Sequence, residues 1–509
     1  MLSKTNKIAI NSISLYANML VSMAVTLLGT RFALQALGKE DYAVYALIAN
    51  IVALFSFINV AMAASTQRFM SFYMGKGSKA GTSEAFYNSI VIHTTIAAIS
   101  VGILLAIGVP AVEQWLDIPA QTRASALIVL LCMAGGVTFT VLSVPFEGAM
   151  NAYEDIFMIA GINILDVTIK LIAAIAILFI PANRLTIYAF MIMGASLFAF
   201  ICKVAYCRKH YDETHFTWHK ITDFGLIKKM TSFAGWNLIG TGCSIARFQG
   251  AAVLLNSFFG LLYNAAYGVA QQVNGFLLFF ANSVVRPMRP HIIKSEGAGR
   301  HSDAIKYSYS TSRFTTLMLA VAIIPLFINM PYILQIWLKE IPTGTLEFCR
   351  GFLIITLIAQ ASIGQQIALE SVGKIKRQHL TVGIMHILPL PAALIMYKCG
   401  IPYYGIIYCI IVEEILCIFI RTYIAKKDAD MPIKPFIKEH LIPCTTCIAA
   451  TYIATAFLTS GITNPLAKLV AGILLCATLL GVLSFTFCFT KWEKEKIYSL
   501  FRSILSRKL

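Results

Sequence analysis

The chain has 509 residues, 58% of them hydrophobic and only 13% charged, with a mean hydropathy of +0.75. Soluble domains carry about a quarter charged residues, so a soluble protein is excluded, and the fold class expected is an all-α polytopic membrane protein. The net charge of +17, from 41 Lys+Arg against 24 Asp+Glu, is then explained by the loops around a bilayer rather than by nucleic acid as a partner.

In chain order, apolar segments long enough to cross a ~30 Å hydrocarbon core fall near 9–35, 43–66, 84–111, 124–146, 156–180, 184–206, 231–256, 262–286, 311–336, 346–371, 378–397, 402–423, 440–460 and 465–490. The first follows Lys4 and Lys7 and runs to about Leu37, longer than a signal-peptide core and without a convincing cleavage site, so it is expected to be retained. Fourteen helices put both termini on one side. Of the 41 basic residues, 31 sort to that side, 8 to the other, and Lys170 and Arg247 lie inside helices. That asymmetry predicts cytoplasmic termini.

The longest outward loops, near 112–123 and 337–345, are too short for a catalytic domain. No P-loop, nucleophile elbow or metal-spaced His/Cys cluster is visible, so a non-enzyme without cofactor or metal is expected. Most of the twelve cysteines sit in apolar runs as small hydrophobes. Cys444 and Cys447 spell CTTC, but inside a predicted helix and without the βαβ setting of a redox pair.

Sliding the sequence against itself by 222 residues aligns Gly38 with Gly260, Tyr45 with Tyr267, Gly75 with Gly297, Gly77 with Gly299 and Tyr87 with Tyr309. Gly38 and Gly260 both fall in the outer turn after the first helix of a half, and the two Gly-x-Gly pairs in the basic inner loop after the second. A parallel duplication of six-helix lobes is expected, 1–220 and 221–430, followed by two further helices and a basic tail at 431–509.

The stretch LGKEDYAVYAL, 37–47, resembles the L-G-x-x-x-Y/F-G-x-Y-x-L turn of the oligosaccharide flippases, which carry lipid-linked O-antigen and polysaccharide units. They form the polysaccharide-biosynthesis branch of the MOP (multidrug, oligosaccharidyl-lipid, polysaccharide) exporter superfamily. VLSVPFEGAMNAYED, 141–155, is similar to their P-x-x-x-x-x-x-A-x-E segment, and 254–299 resembles their helix 7–8 region. The likeness spans essentially the whole chain. It departs at Ala43-Val44, where a small residue and glycine are usual, and at SIARFQGAA around Arg247, where many relatives have an acidic residue nearby. The resemblance implies a MATE-like, V-shaped pair of lobes in a bacterial cytoplasmic (inner) membrane. It also implies alternating-access transfer of undecaprenyl-diphosphate-linked oligosaccharide for surface polysaccharide or lipopolysaccharide assembly. The implied partners are that lipid-linked substrate, membrane lipids, and a polysaccharide polymerase and glycosyltransferases.

Such a cargo needs cations and hydrogen-bonding groups facing a wet cavity. Asn11, Ser14, Asn18 and Ser22 share one face of the first helix. Asn264, Gly268, Gln271, Gly275 and Asn282, with Asn274 close by, mark the eighth, and Ser362, Gln366 and Glu370 the tenth. Helix-to-helix packing explains any one of them equally well. Lys170 lies near mid-membrane, where an isolated charge costs ~3 kcal/mol, and Asn163 and Asp166 share its face. Lys170 and Arg247 are expected to present positive charge to the diphosphate, with Asp166 either tuning Lys170 or simply neutralising it. Arg31 and Arg68 stand at helix ends, where they either meet cargo or reach headgroups. Glu370, Glu413 and Glu414 raise the rival reading, an ion-coupled multidrug exporter of the MATE type, while His386 is expected to be a packed core histidine.

Overall fold

The computed structural model describes residues 4–53, 56–115, 121–181, 183–215, 224–338 and 341–505; among them every regular element is a helix. The helices are α1 (Lys4–Ala53), α2 (Ser56–Gly75), α3 (Lys79–Gln114), α4 (Arg123–Ala152), α5 (Ile156–Phe179) and α6 (Arg184–His210). Then come α7 (Phe224–Phe259), α8 (Leu261–Gly297), α9 (His301–Trp337), α10 (Thr345–Ala361), α11 (Ile363–Val372), α12 (Lys376–Lys398) and α13 (Gly405–Asp428). The chain ends in α14 (Ile433–Thr459), α15 (Pro465–Cys488) and α16 (Lys491–Leu505).

Nine described helices are long and apolar enough to cross a membrane, ten if the bent pair α10–α11 is one span. The expected segment at 346–371 is that pair, bent by 41°. At the bend the Gly364 N–H donates to Ser312 Oγ at 2.8 Å, so a backbone donor is met by a side chain of α9. The expected helix at 43–66 is made by the part of α1 beyond Gly38 together with α2. α13 escapes the apolar set because Glu413, Glu414 and Arg421 lie on it, and α8 because of its amides and Arg286 and Arg289. Polar side chains, rather than a shorter length, dilute their apolarity.

The chain divides into two compact units, Met1–Leu238 and Ile239–Leu509, with the division inside α7. The core of the first is built from α1, α3, α4, α5 and α6 around Ala33, Ile48, Leu104, Leu130, Ala174 and Leu185. That of the second gathers Leu255, Tyr267, Leu319, Phe348, Phe352 and Ile407. α14 and α15 pack with α9 in the second unit, through Leu317, Ala320 and Ile324. Outward rows such as Ile99, Ile103 and Ile107 on α3 stay exposed at i, i+4, i+8, the lipid-facing pattern of a spanning helix.

The glycines paired by the 222-residue offset adopt matching backbones. Gly38 has φ 77, ψ 176 and Gly260 has φ 83, ψ −176, a region essentially restricted to glycine. Gly77 and Gly299 follow with φ 71 and 75. The paired glycines thus share one backbone conformation at both positions.

Candidate functional site

Each unit holds a cavity with polar side chains in its lining. In the first, about 290 Å³ is lined by Thr26, Thr30, Tyr42, Tyr45, Lys170 and Tyr188 among others. The i,i+4 spacing on α5 puts Lys170 Nζ 2.7 Å from Asp166 Oδ2. Lys170 lines the cavity; the two side chains are 34% and 21% exposed, and Asp166 Oδ1 has no hydrogen-bond partner in the protein. The rings of Tyr45 and Tyr188 lie 5.1 Å apart, with Tyr42 6.4 Å from Tyr45. One cation and several hydroxyls therefore face one space, with the carboxylate of Asp166 held against the cation.

The other members expected in this unit scatter. Asn18 accepts a hydrogen bond from Ser22 at 3.1 Å along α1 and does not line the cavity, while the side chains of Asn11 and Ser14 lie outside the described residues. Arg31 is exposed. Arg68 is buried, its guanidinium 4.4 Å from the Phe69 ring, 5.2 Å from Phe72 and 5.6 Å from Phe233. That is a cation–π seat within the protein.

In the second unit about 280 Å³ is bounded by α7, α8, α10, α11, α12 and α13. Its wall is an ionic network. Arg247, only 3% exposed, donates to Glu413 Oε2 and, at 2.8 Å, to Glu414 Oε1, and stacks 4.6 Å from the Phe248 ring. Glu413 Oε1 contacts His386 Nδ1 at 2.9 Å and accepts from the Cys417 thiol at 2.9 Å. Arg421 stands 3.9 Å from Glu414 Oε2 and donates to Ser362 Oγ at 3.0 Å, tying the α10–α11 bend to α13. Arg247 is thus already neutralised by two carboxylates, which gives it less positive charge to offer a cargo than its sequence position suggested. His386 is no inert core residue but a member of the network.

Around the same wall, Arg247 Nε, Arg421 Nε, Gln378 Oε1, His379 Nε2 and Glu414 Oε2 are buried without a hydrogen-bond partner in the protein. Buried groups of this kind are rare unless a ligand or a function accounts for them. Asn274 lines the cavity and accepts from Thr356, whereas Gln271 is half-buried and off it. Glu370 sits on α11, 3.4 Å from Arg289 Nε and 3.1 Å from Gln366 Nε2. Gly240 on α7 lets the His379 ring approach, since a Cβ there would meet Nδ1 at 2.0 Å.

Arg421, His379, Gln378 and the three tyrosines were missed by the sequence reading. Arg421 could have been found, because it repeats the Glu413 and Glu414 face at i+8 and i+7. Tyr42 and Tyr45 stand at the tyrosine positions of LGKEDYAVYAL, whereas Tyr188 carries no such signal.

No family model and no curated protein sequence matches the chain. Solved structures do. A protein from Pyrococcus furiosus, described as a MOP superfamily transporter whose reversed binding-pocket polarity suggests a different function, aligns with TM-score 0.71 over 84% of this chain and 96% of its own, at 10% identity. A MATE structure in a bent conformation gives 0.73 over 86% and 98%, at 10% identity. An outward-facing multidrug resistance MATE family transporter of the MOP superfamily gives 0.71 over 84% and 96%, also at 10% identity. The chain has the fold of MOP-superfamily transporters.

Proposed function

We propose that this chain, working on the fold of the MOP-superfamily transporters, moves an undecaprenyl-diphosphate-linked oligosaccharide across a bacterial cytoplasmic membrane by alternating access. It acts as a carrier without catalytic chemistry, with both termini cytoplasmic. The observation that supports this reading best is the state of the mid-helix carboxylates. Asp166 is paired with Lys170, Glu370 with Arg289, and Glu413 and Glu414 with Arg247. A carrier of organic cations uses carboxylates that its cargo can reach, and fixed cations beside them oppose such a cargo. Lys170, partly open to a cavity rich in hydroxyls, suits a diphosphate and sugars better.

The second reading, export of amphipathic cations, is favoured by the likeness to a multidrug resistance MATE transporter. One pair of assays separates the two. The chain is expressed in a flippase-deficient host supplied with a panel of saccharide pathways, and in an efflux-deficient host loaded with ethidium. Restored surface polysaccharide with unchanged ethidium retention is expected. Ethidium efflux without polysaccharide would replace the first reading by the second.

A further inference from the structure

The last helix, α16, takes no part in either cavity. Its sequence, KWEKEKIYSLFRSIL, is amphipathic. In helical register with Glu493, the positions Ile497, Leu500, Phe501 and Ile504 share one face. Lys491, Glu495, Ser499 and Arg502 fall on the opposite side, and Lys494 and Lys496 border the apolar stripe. From Lys491 to Leu509 the sequence sets six basic residues against two glutamates.

One of those glutamates does not belong to the surface. Glu493 is buried, pairs with the Arg313 guanidinium and accepts from the Ser310 hydroxyl, both on α9. Its Oε2 also accepts from the Thr490 N–H at 2.8 Å and from Thr490 Oγ1 at 2.9 Å, a capping box that closes the first turn. Arg313 in turn donates to the Glu439 carbonyl of α14 at 2.8 Å, and the Trp492 ring lies 5.5 Å from that of Tyr307. The start of α16 is therefore fixed to α9 and α14, and with Glu493 neutralised the charge left outside is almost wholly positive.

α16 turns across the end of α15 instead of extending it. Thirteen residues in one straight helix would put Phe485 and Tyr498 about 20 Å apart. Their rings are 5.5 Å apart, and Lys494 Nζ donates to the Thr486 carbonyl at 3.1 Å. The last turns of α15, itself apolar enough to span a membrane, keep Val482 and Phe487 exposed as a lipid-facing row. α16 thus begins where that span ends. Arg313 lies within the apolar stretch of α9 that starts near residue 311, so the face of α16 that carries Glu493 is turned toward the membrane.

We propose that α16 is an interfacial helix that docks on an anionic lipid surface, with its apolar stripe at the acyl-chain boundary and its lysines and Arg502 among the phosphate headgroups. A basic polar face opposite a Leu/Phe/Ile face is the pattern of helices that lie in the plane of a membrane. An apolar stripe alone would suit a protein partner as well. The excess of lysine and arginine, and the continuity with the lipid-facing row of α15, select anionic lipid. Tyr498, 62% exposed beside Phe485, adds the aromatic residue common at such boundaries. Because its first turn is already fixed by Glu493, the helix docks without a folding step.

The test uses the full chain with the exposed Cys399 changed to serine and a bimane fluorophore attached through Ile504→Cys, on the apolar face, or Ser499→Cys, on the polar one. A chain without the introduced cysteine sets the labelling background. Each is placed in nanodiscs of phosphatidylcholine with a rising share of phosphatidylglycerol, all with brominated acyl chains. The label at 504 should be quenched and the label at 499 much less. Quenching should grow with phosphatidylglycerol and weaken in about 1 M salt. The combined Lys491→Gln, Lys496→Gln and Arg502→Gln variant should raise the phosphatidylglycerol fraction at half-maximal quenching roughly five-fold or more. Lys494 is kept because it holds the Thr486 carbonyl. Size-exclusion profiles establish that the variant is folded, and the lipid and salt dependence of the unneutralised chain decides the matter if it is not. Equal quenching of the two labels, or quenching indifferent to phosphatidylglycerol, would overturn the docking. A label at 504 shielded from both brominated lipid and aqueous iodide would overturn it too, and give that face to a protein partner.

Discussion

The two cavities handle buried charge in opposite ways. In the first unit, cation and carboxylate sit one turn apart on the same helix, so Lys170 and Asp166 satisfy each other through the backbone of α5 alone and stay partly exposed. In the second, Arg247 on α7 is matched only by residues of α13, and through them by α12 and the α10–α11 bend. A pair within one helix costs little to open, because each member is already partly exposed. A buried pair between helices holds the bundle together, and removing one partner strands a charge. The difference separates a partly exposed cation, which the proposed cargo would reach, from one buried as part of the architecture.

The largest effect is expected at the second unit. Arg247→Ala should cost about 3–5 kcal/mol and be seen as loss of monodisperse protein on fluorescence-detected size exclusion. The triple change Arg247→Met, Glu413→Gln, Glu414→Gln should recover most of that abundance. Should Arg247→Ala remain as abundant as wild type, the network would not be architectural and the contrast would fail.

Lys170→Ala comes next, with the opposite signature. Abundance should be close to normal, and transport in the complementation assay should fall about 10–100-fold, the worth of a charge-assisted contact of ~1.5–3 kcal/mol. The exchange Asp166→Lys with Lys170→Asp keeps the pair but moves the cation about 6 Å along the helix. It should also fail to transport, and Lys170→Arg should keep part of the activity. Full activity of the exchanged pair would make Lys170 a structural counter-charge like Arg247.

The smallest effect tests what the halves share. A Cβ at Gly38 or Gly260 meets nothing within 4 Å, so alanine there brings only backbone strain, about 1–3 kcal/mol. The two losses in thermal stability should be equal within about 0.5 kcal/mol. A large inequality would mean that the matched turns carry different loads.

Much of this was legible in the chain. The spans, the offset of 222 and the unusual glycines at its two ends follow from apolar run length and from the need for a residue without a side chain at positive φ. Lys170 with Asp166 was legible because both partners lie within one helical turn. The network in the second unit was not, since Arg247 and Glu413 are separated by 166 residues and sequence spacing carries no distance across a bundle. The bend at Ser362 was hidden too, because an apolar run reads the same whether straight or broken.

By itself the sequence determined that the chain belongs in a bilayer, roughly where each helix crosses, and which charges stand too deep to be left alone. Those follow from the cost of polar groups in hydrocarbon, which acts on each segment separately. Only the tertiary structure decided who neutralises whom: that Arg247 is already held by two carboxylates, that His386 joins them, and that Cys488 returns from the end of α15 to meet Cys447. Helix packing sets those partnerships, and it depends on the shapes of many side chains at once rather than on any one segment.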